Sequence, residues 1–348
     1  VTSNRIPIVQ LVLCHIRSYI REPEAIFWTY GFPLLMVIGL GIAFDSSGPS
    51  HVLVDVVQGK GESRAVAALS ANPTFRVEVH PEDAALQRLR RNRTQVAVKA
   101  QGEAAFQFFF DPTNPEARVA RDAVDDALQR AAGRSDPLPV EDREVVAPGS
   151  RYVDFLVPGL IGMNLMGGGM WGVGFVLVDM RIKKLLKRLL GTPMRRSHFL
   201  LSVVGCRAMF FIPEAFVLLL AAHWVFGVPI AGSVPSIILV AFVGAMAFAG
   251  LGLLAASRAQ RIETVSGIMN LVMLPMWLCS GIFFSSERFP EWMQPFVQAL
   301  PLTQLINALR AVILEGVAIT TQVWSLALLA VWAAVAFSLA LRWFRWSS

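Results

Sequence analysis

The sequence predicts an α-helical polytopic membrane protein that carries a small α/β domain outside the bilayer. Three observations lead there. Of 348 residues, 55% are hydrophobic and only 16% are charged, whereas a soluble domain carries about 25% charged residues. The apolar residues gather into windows of roughly twenty, long enough to cross ~30 Å of hydrocarbon as helices. One stretch, residues 45–152, breaks this pattern and has the mixed composition of a soluble fold.

Six windows qualify as transmembrane helices: Ile26–Phe44, Val153–Val178, Phe199–Phe226, Val234–Ala256, Thr264–Phe284 and Gln322–Leu341. No cleavable signal peptide is expected, because the first window follows a mixed segment and no small-residue cleavage site lies behind it. Cys14, Cys206 and Cys279 lie in or beside these windows, which excludes a disulfide framework. Six spans return both termini to one side. If that side is the cytoplasm, segments 1–25, 179–198, 257–263 and 342–348 hold 14 basic residues and 4 acids. The short loops opposite, 227–233 and 285–321, hold 2 basic residues and 3 acids. Positive charge is retained inside, so the chain is oriented N-in and C-in, with residues 45–152 extracytoplasmic.

Residues 1–25 come first. Val9, Val12, Leu13, Ile16 and Ile20 share one helical face, Arg17 and Arg21 lie elsewhere, and Pro23 closes the segment. This predicts an interfacial helix on the cytoplasmic leaflet. After the first span, "HVLVDVVQ" (51–58), "FRVEVH" (75–80), "TQVAVKA" (94–100) and "AFQFFFD" (105–111) read as strands. Helices are predicted at 62–71, 81–92 and 114–133, the last two opening near Pro and acidic residues. The strap 137–149 returns the chain to the second span. The basic cluster "RLRRNR" (88–93) reads as a solvated helix end rather than a nucleic-acid contact, because the domain is net acidic and no aromatics interleave with those arginines.

The second span, within 153–348, contains "GLIGMNLMGGGMWGVG" (159–174). Its seven glycines allow close helix approach, and Gly168 and Gly172 have GxxxG spacing. A hinge is the functional alternative. The span leads into a cytoplasmic loop, 179–198, whose run "RIKKLLKRLLGTPMRR" (181–196) carries seven basic residues. Ile182, Leu185, Leu186 and Leu189 follow helical spacing, with Arg181, Lys184, Lys187 and Arg188 turned away, and Gly191–Pro193 ends the helix. A lipid-surface anchor and a helix docking on a cytoplasmic protein both fit this pattern. Further on, residues 288–316 are apolar but broken by Pro290, Pro295 and Pro301, and they carry Arg310 and Glu315. A re-entrant helical pair fits better than a seventh crossing, since irregular backbone at that depth must be buried in protein.

The third span holds two ionisable residues on one face, Arg207 and Glu214, roughly 10 Å apart along the axis. That is too far for an unaided pair. Arg207 is expected to snorkel to the cytoplasmic headgroups. Glu214 is too short to escape, so it is expected to face the bundle interior, paired with another helix or lining a wet cavity. Among motifs, there is no G-x-x-x-x-G-K-[ST], H-E-x-x-H or G-x-S-x-G, and the five histidines are scattered. No catalytic, cofactor-binding or metal residue is expected.

This layout resembles the permease subunits of "type 2" ATP-binding-cassette exporters, which include drug and lipid exporters. The resemblance spans nearly the whole chain. It rests on the N-terminal helix, the domain after span 1, "LVPGLIGMNLM" opening span 2, "LKRLLGTPMRRSHFLLS" (186–202) and the broken segment 283–316. It implies that the loop is a coupling helix in a cleft of the ATPase, through Arg181, Ile182, Lys184, Leu185, Leu186, Arg188, Leu189, Thr192 and Arg195. Two permease chains would pair, as a homodimer, with two ATPases that bind ATP and Mg. The chain itself would hold no cofactor. The implied protein sits in membrane lipid of a bacterial inner membrane and exports a hydrophobic or amphiphilic substrate. Arg207, Glu214, Arg310 and Glu315 are expected along its route or gate. A membrane-anchored receptor or assembly scaffold, binding a ligand through 45–152, is the alternative reading.

Overall fold

The computed structural model describes residues 23–43, 51–101, 105–135, 151–190 and 196–344, together with Arg21. Most of the expected interfacial helix, the strap 137–149, Thr192 and Arg195 lie outside the described residues. The chain divides into two units, Ser46–Val145 and the remainder. The first described segment is one unbroken helical rod. It comprises α1 (Pro23–Ile26), a π-helical stretch at Phe27–Gly31 and α2 (Phe32–Ala43). In the π-helical stretch the Phe32 amide donates to the Phe27 carbonyl, one residue wider than the α pattern.

Within Ser46–Val145 the order is β1 (Val52–Val57), α3 (Glu62–Ser70), β2 (Phe75–His80), α4 (Glu82–Arg90), β3 (Val96–Gln101), β4 (Ala105–Phe109) and α5 (Pro115–Ala131). The sheet order is β2-β1-β3-β4, with β1 parallel to β2 and β3, and β4 antiparallel at the edge. Parallel neighbours need helical crossovers, which α3 and α4 supply. Period-two alternation then sorts the side chains. Val54 and Val56 of β1 pack with Leu69, Val124 and Leu128 of α3 and α5, while Val57 and Ala97 meet Ala85 of α4 on the other face. Helix α5 starts where Asn114 caps it, its Oδ1 accepting from the Glu116 amide at 3.0 Å, with Pro115 as the first helical residue.

The remaining unit contains α6 (Tyr152–Ile182), α7 (Leu185–Leu190), α8 (Arg196–Phe226), α9 (Val234–Ala256), α10 (Ile262–Cys279), α11 (Gln294–Ala299), α12 (Pro301–Ile313) and α13 (Val323–Trp343). Five stretches are long and apolar enough to cross a membrane: Tyr152–Ile182, Val203–Phe226, Val234–Ala256, Ile262–Cys279 and Ile319–Trp343. The first expected span is a shorter apolar helix, Phe27–Ala43. The segment 288–316 contains the pair α11 and α12, broken at Leu300, whose backbone is extended ahead of Pro301. At 13 residues, α12 is about 20 Å long and too short to cross. It is buried along most of its length, Leu302, Leu305, Ile306 and Leu309 each showing 0% exposure.

Glycine brings α6 and α9 into backbone contact. A Cβ on Gly252 of α9 would stand 2.8 Å from the Gly169 carbonyl oxygen and 2.7 Å from that of Met170. A Cβ on Gly169 would meet Phe248 Cβ at 2.7 Å. Both helices therefore owe their approach to missing side chains. Gly252→Ala should force them apart and lower the unfolding midpoint, costing about 1–3 kcal/mol. Gly167→Ala, on the same α6 but with nothing within 4 Å, should leave it unchanged. Thermal unfolding of the purified chain in detergent compares the two.

Candidate functional site

The next face of α6 receives charge instead of backbone. Arg207, on α8, donates from Nε to the Gly168 carbonyl at 2.8 Å, and its Nη1 stands 3.8 Å from Glu214 Oε1. Its guanidinium also lies over Phe211, 5.6 Å from the ring centre. A Cβ on Gly172 would collide with this guanidinium, and one on Gly168 would reach Arg207 Nη2 at 2.8 Å and Glu214 Oε2 at 3.3 Å. The two glycines form the slot in which the arginine lies. The Glu214 side chain is fully buried, and neither of its oxygens has a hydrogen-bond partner among the described residues.

This arrangement corrects two expectations. Arg207 turns inward rather than snorkelling, because the slot offers a carbonyl, a ring face and a carboxylate within reach. Glu214 faces inward as expected, but among the described residues its ion-pair partner is Arg207 of its own helix rather than a group of another helix. Two helical turns separate the Cα atoms, but the long arginine side chain spans that distance. The glycine spacing was readable as helix packing; that it houses a guanidinium was not.

The residues expected in the loop 179–198 are also rearranged. Helix α6 runs through Arg181 and Ile182, so they belong to the span rather than to the loop helix. Lys184 then adopts a left-handed backbone, φ +56°, and α7 starts afresh. This break reverses the expected faces. Arg181 is buried at 4% exposure and Ile182 is exposed at 50%. Leu186, expected to face an ATPase, is 1% exposed within the chain's own core. Lys183, Lys184 and Arg188 are exposed, and Leu185 is half-buried. The Leu189 side chain lies outside the described residues.

Arg310, on α12, lies over the Phe155 ring at 3.6 Å from its centre and donates to the carbonyls of Phe155, at 3.3 Å, and Gly281. It joins α12 to α6 and to the end of α10. Glu315 is exposed. Nothing in the sequence signalled Phe155 as the platform.

A further cluster lies in Ser46–Val145. Donor atoms of Asp55, Glu78 and His80 fall within 4.8 Å of one another, as metal ligands would. Arg88 bridges the two carboxylates, its Nε 2.9 Å from Asp55 and its Nη2 2.7 Å from Glu78. The guanidinium neutralises the donors, so the cluster is an ion-pair network. The hydrogen bond from His80 and the charge of Arg88 hold the Glu78 carboxyl below its usual value.

Residues 23–342 match the family of ABC-2 family transporter proteins, and the chain belongs to that family. Three relatives share parts of it. ABC transporter G family member 20 of Dictyostelium discoideum is 29% identical over 56% of this chain and 26% of its own length. Linearmycin resistance permease protein LnrN of Bacillus subtilis is 26% identical over 36% of this chain and 32% of its own length. Inner membrane transport permease YhhJ of Escherichia coli is 27% identical over 28% of this chain and 26% of its own length. The chain thus spans about a third or less of the curated relatives it matches. It is a multi-pass membrane component of an ABC transporter.

Two outcomes test these geometries. Glu214→Leu strands a buried cation and should destabilise the folded chain by about 3–5 kcal/mol, whereas Arg207→Met with Glu214→Leu should recover most of that loss. Thermal unfolding of both in detergent would show additive losses if the pair does not interact. For Glu78, a folded pKa below 4.5 means stability is present above that value and lost as pH falls through the lower one. Glu78→Gln should therefore lessen the drop in unfolding midpoint as pH falls from about 5 to about 3.

Proposed function

We propose that the chain is the membrane-spanning permease of an ABC exporter powered by a separate ATPase subunit. It moves a hydrophobic or amphiphilic substrate, drug- or lipid-like, out of the cytoplasm or the inner leaflet. ATP and Mg are bound by the partner, two copies of which serve two permease chains. The membrane is the bacterial inner membrane, with both termini cytoplasmic and residues 45–152 outside. The relatives' names, a resistance permease and an inner membrane transport permease, agree with this reading.

The observation that carries it is the join between α6 and α7. A membrane-length helix ends in a left-handed lysine and a short helix that presents Lys183, Lys184 and Arg188 to solvent. A docking surface at the end of a span is what a force-receiving loop requires. Because Leu186 packs inward, the contact with the ATPase is made by the basic side of the loop. Exposed tryptophans support the membrane depth. Trp224, Trp292 and Trp324 are 75–79% exposed near one set of helix ends, and Trp28 and Trp343 are exposed near the other. Exposed Asn270, halfway along α10, supports a second chain, since an amide facing lipid lacks hydrogen-bond partners.

Arg207 and Glu214 are the gate in this reading. The bond from Arg207 to the Gly168 carbonyl fixes α8 to α6 beside that pair, and movement of one helix along the other must break or carry it. Arg310 and Glu315 lie on the opposite end of the route.

Charge reversal tests the docking. Lys184→Glu with Arg188→Glu should still yield an inserted, folded permease. Co-purification of a P-loop ATPase should fall sharply, most clearly at low salt where complementary charge acts strongest. Undiminished co-purification and transport would remove the loop from the interface. Leu186→Asp should act differently, lowering stability of the permease itself.

A further inference from the structure

Arg181 occupies the last turn of α6, immediately before the Lys184 break, and is almost wholly buried. Its Nη1 donates to the Ala256 carbonyl at 2.9 Å and also to the Ala259 carbonyl. Its Nη2 donates to the Ser257 carbonyl at 3.2 Å. The final carbonyls of a helix have no intrahelical amide to accept from, and a cation there is favoured by the helix dipole. Arg181 thus caps α9 from a neighbouring helix. Ala259 lies beyond α9, in the linker to α10, so the same guanidinium also grips that linker. The ring of Phe344, just past α13, lies 5.2 Å beneath it.

One side chain therefore ties the base of the docking loop to the ends of two other membrane helices and to the linker into α10. The fork matters here, because two guanidinium nitrogens reach three separate carbonyls, whereas an ammonium on a shorter-reaching stem is a single point charge. The burial also matters. Breaking these bonds removes a charged donor from three carbonyls beside a buried side chain.

We propose that Arg181 is a strut: a positioning residue that passes displacement of the Leu185–Leu190 helix to the α9–α10 linker, without itself contacting the ATPase. This rests on reading the loop 181–198 as the ATPase-coupling element. Arg181 lies three residues before the Lys184 break, so a shift of α7 pulls on it through the chain itself. The linker it holds opens α10, the helix that exposes Asn270.

Spin labels on the full-length permease bound to its ATPase test this. In a background with Cys14, Cys206 and Cys279 replaced by alanine, single labels go at Lys183 and at Arg258, both exposed. Spectra are recorded before and after ATP with vanadate. In the wild type both labels should change. In Arg181→Gln the label at Lys183 should still respond while the response at Arg258 is lost. Arg181→Lys, which keeps the charge and the fold but not the fork, should show a reduced response at Arg258 and decides the matter if Arg181→Gln does not fold. An unchanged Arg258 response in either folded variant overturns the strut alone. Silence of both wild-type labels in an ATPase-bound, hydrolysing complex overturns the coupling reading and the strut with it.

Discussion

The membrane unit depends on the bare surface of α6. Glycines on one face let the backbone of α9 come within van der Waals range of the Gly169 and Met170 carbonyls. Glycines on an adjacent face leave the slot for Arg207. Other glycines set further close approaches, with Gly162 against Ile306 of α12 and Gly174 against Met269 of α10. In hydrocarbon there is no hydrophobic force between helices, so association relies on close packing and on polar contacts that lipid cannot offer. Helix α6 supplies both. Its low helix propensity costs up to about 1 kcal/mol per glycine relative to alanine in an exposed helix, and tight packing offsets this.

Three inward-facing arginines in this unit, Arg181 buried and Arg207 and Arg310 partly so, answer the same problem in the same way. Arg207 donates to the Gly168 carbonyl, Arg310 to those of Phe155 and Gly281, and Arg181 to Ala256, Ser257 and Ala259. Each also lies over an aromatic ring: Phe211, Phe155 or Phe344. Backbone carbonyls and ring faces solvate a cation that water cannot reach. Arg207 alone adds a buried carboxylate, and that pair is the one whose disturbance most alters local charge. Arg181 and Arg310 have only carbonyls and a ring face as the partners described above.

Much of the fold could be read from residue pattern. Strands in Ser46–Val145 showed as alternating valines, and helix α5 showed through Pro115 and Glu116, because local chemistry determines both. The broken segment 288–316 showed through Pro301. What could not be read was contact between distant elements. Period analysis carried one helix across 181–190, since nothing in "RIKKLL" marks a left-handed residue; a lysine rather than a glycine takes φ +56° at Lys184. That single break exchanged the places of Arg181 and Ile182 and turned Leu186 inward. Likewise the axial spacing of Arg207 and Glu214 was correct, but it concerned backbone positions and ignored the reach of an arginine side chain. The first expected span falls in the rod Pro23–Ala43, whose apolar part is Phe27–Ala43.

The proposed orientation puts the loop after α6 in the cytoplasm and residues 51–135 outside. The most direct measurement is thiol labelling with an impermeant reagent, using single cysteines at Ser135 and Lys183 in an otherwise cysteine-free chain. Ser135→Cys should react in intact cells, and Lys183→Cys only after lysis. Reaction of Lys183→Cys in intact cells would place the loop outside and contradict the account.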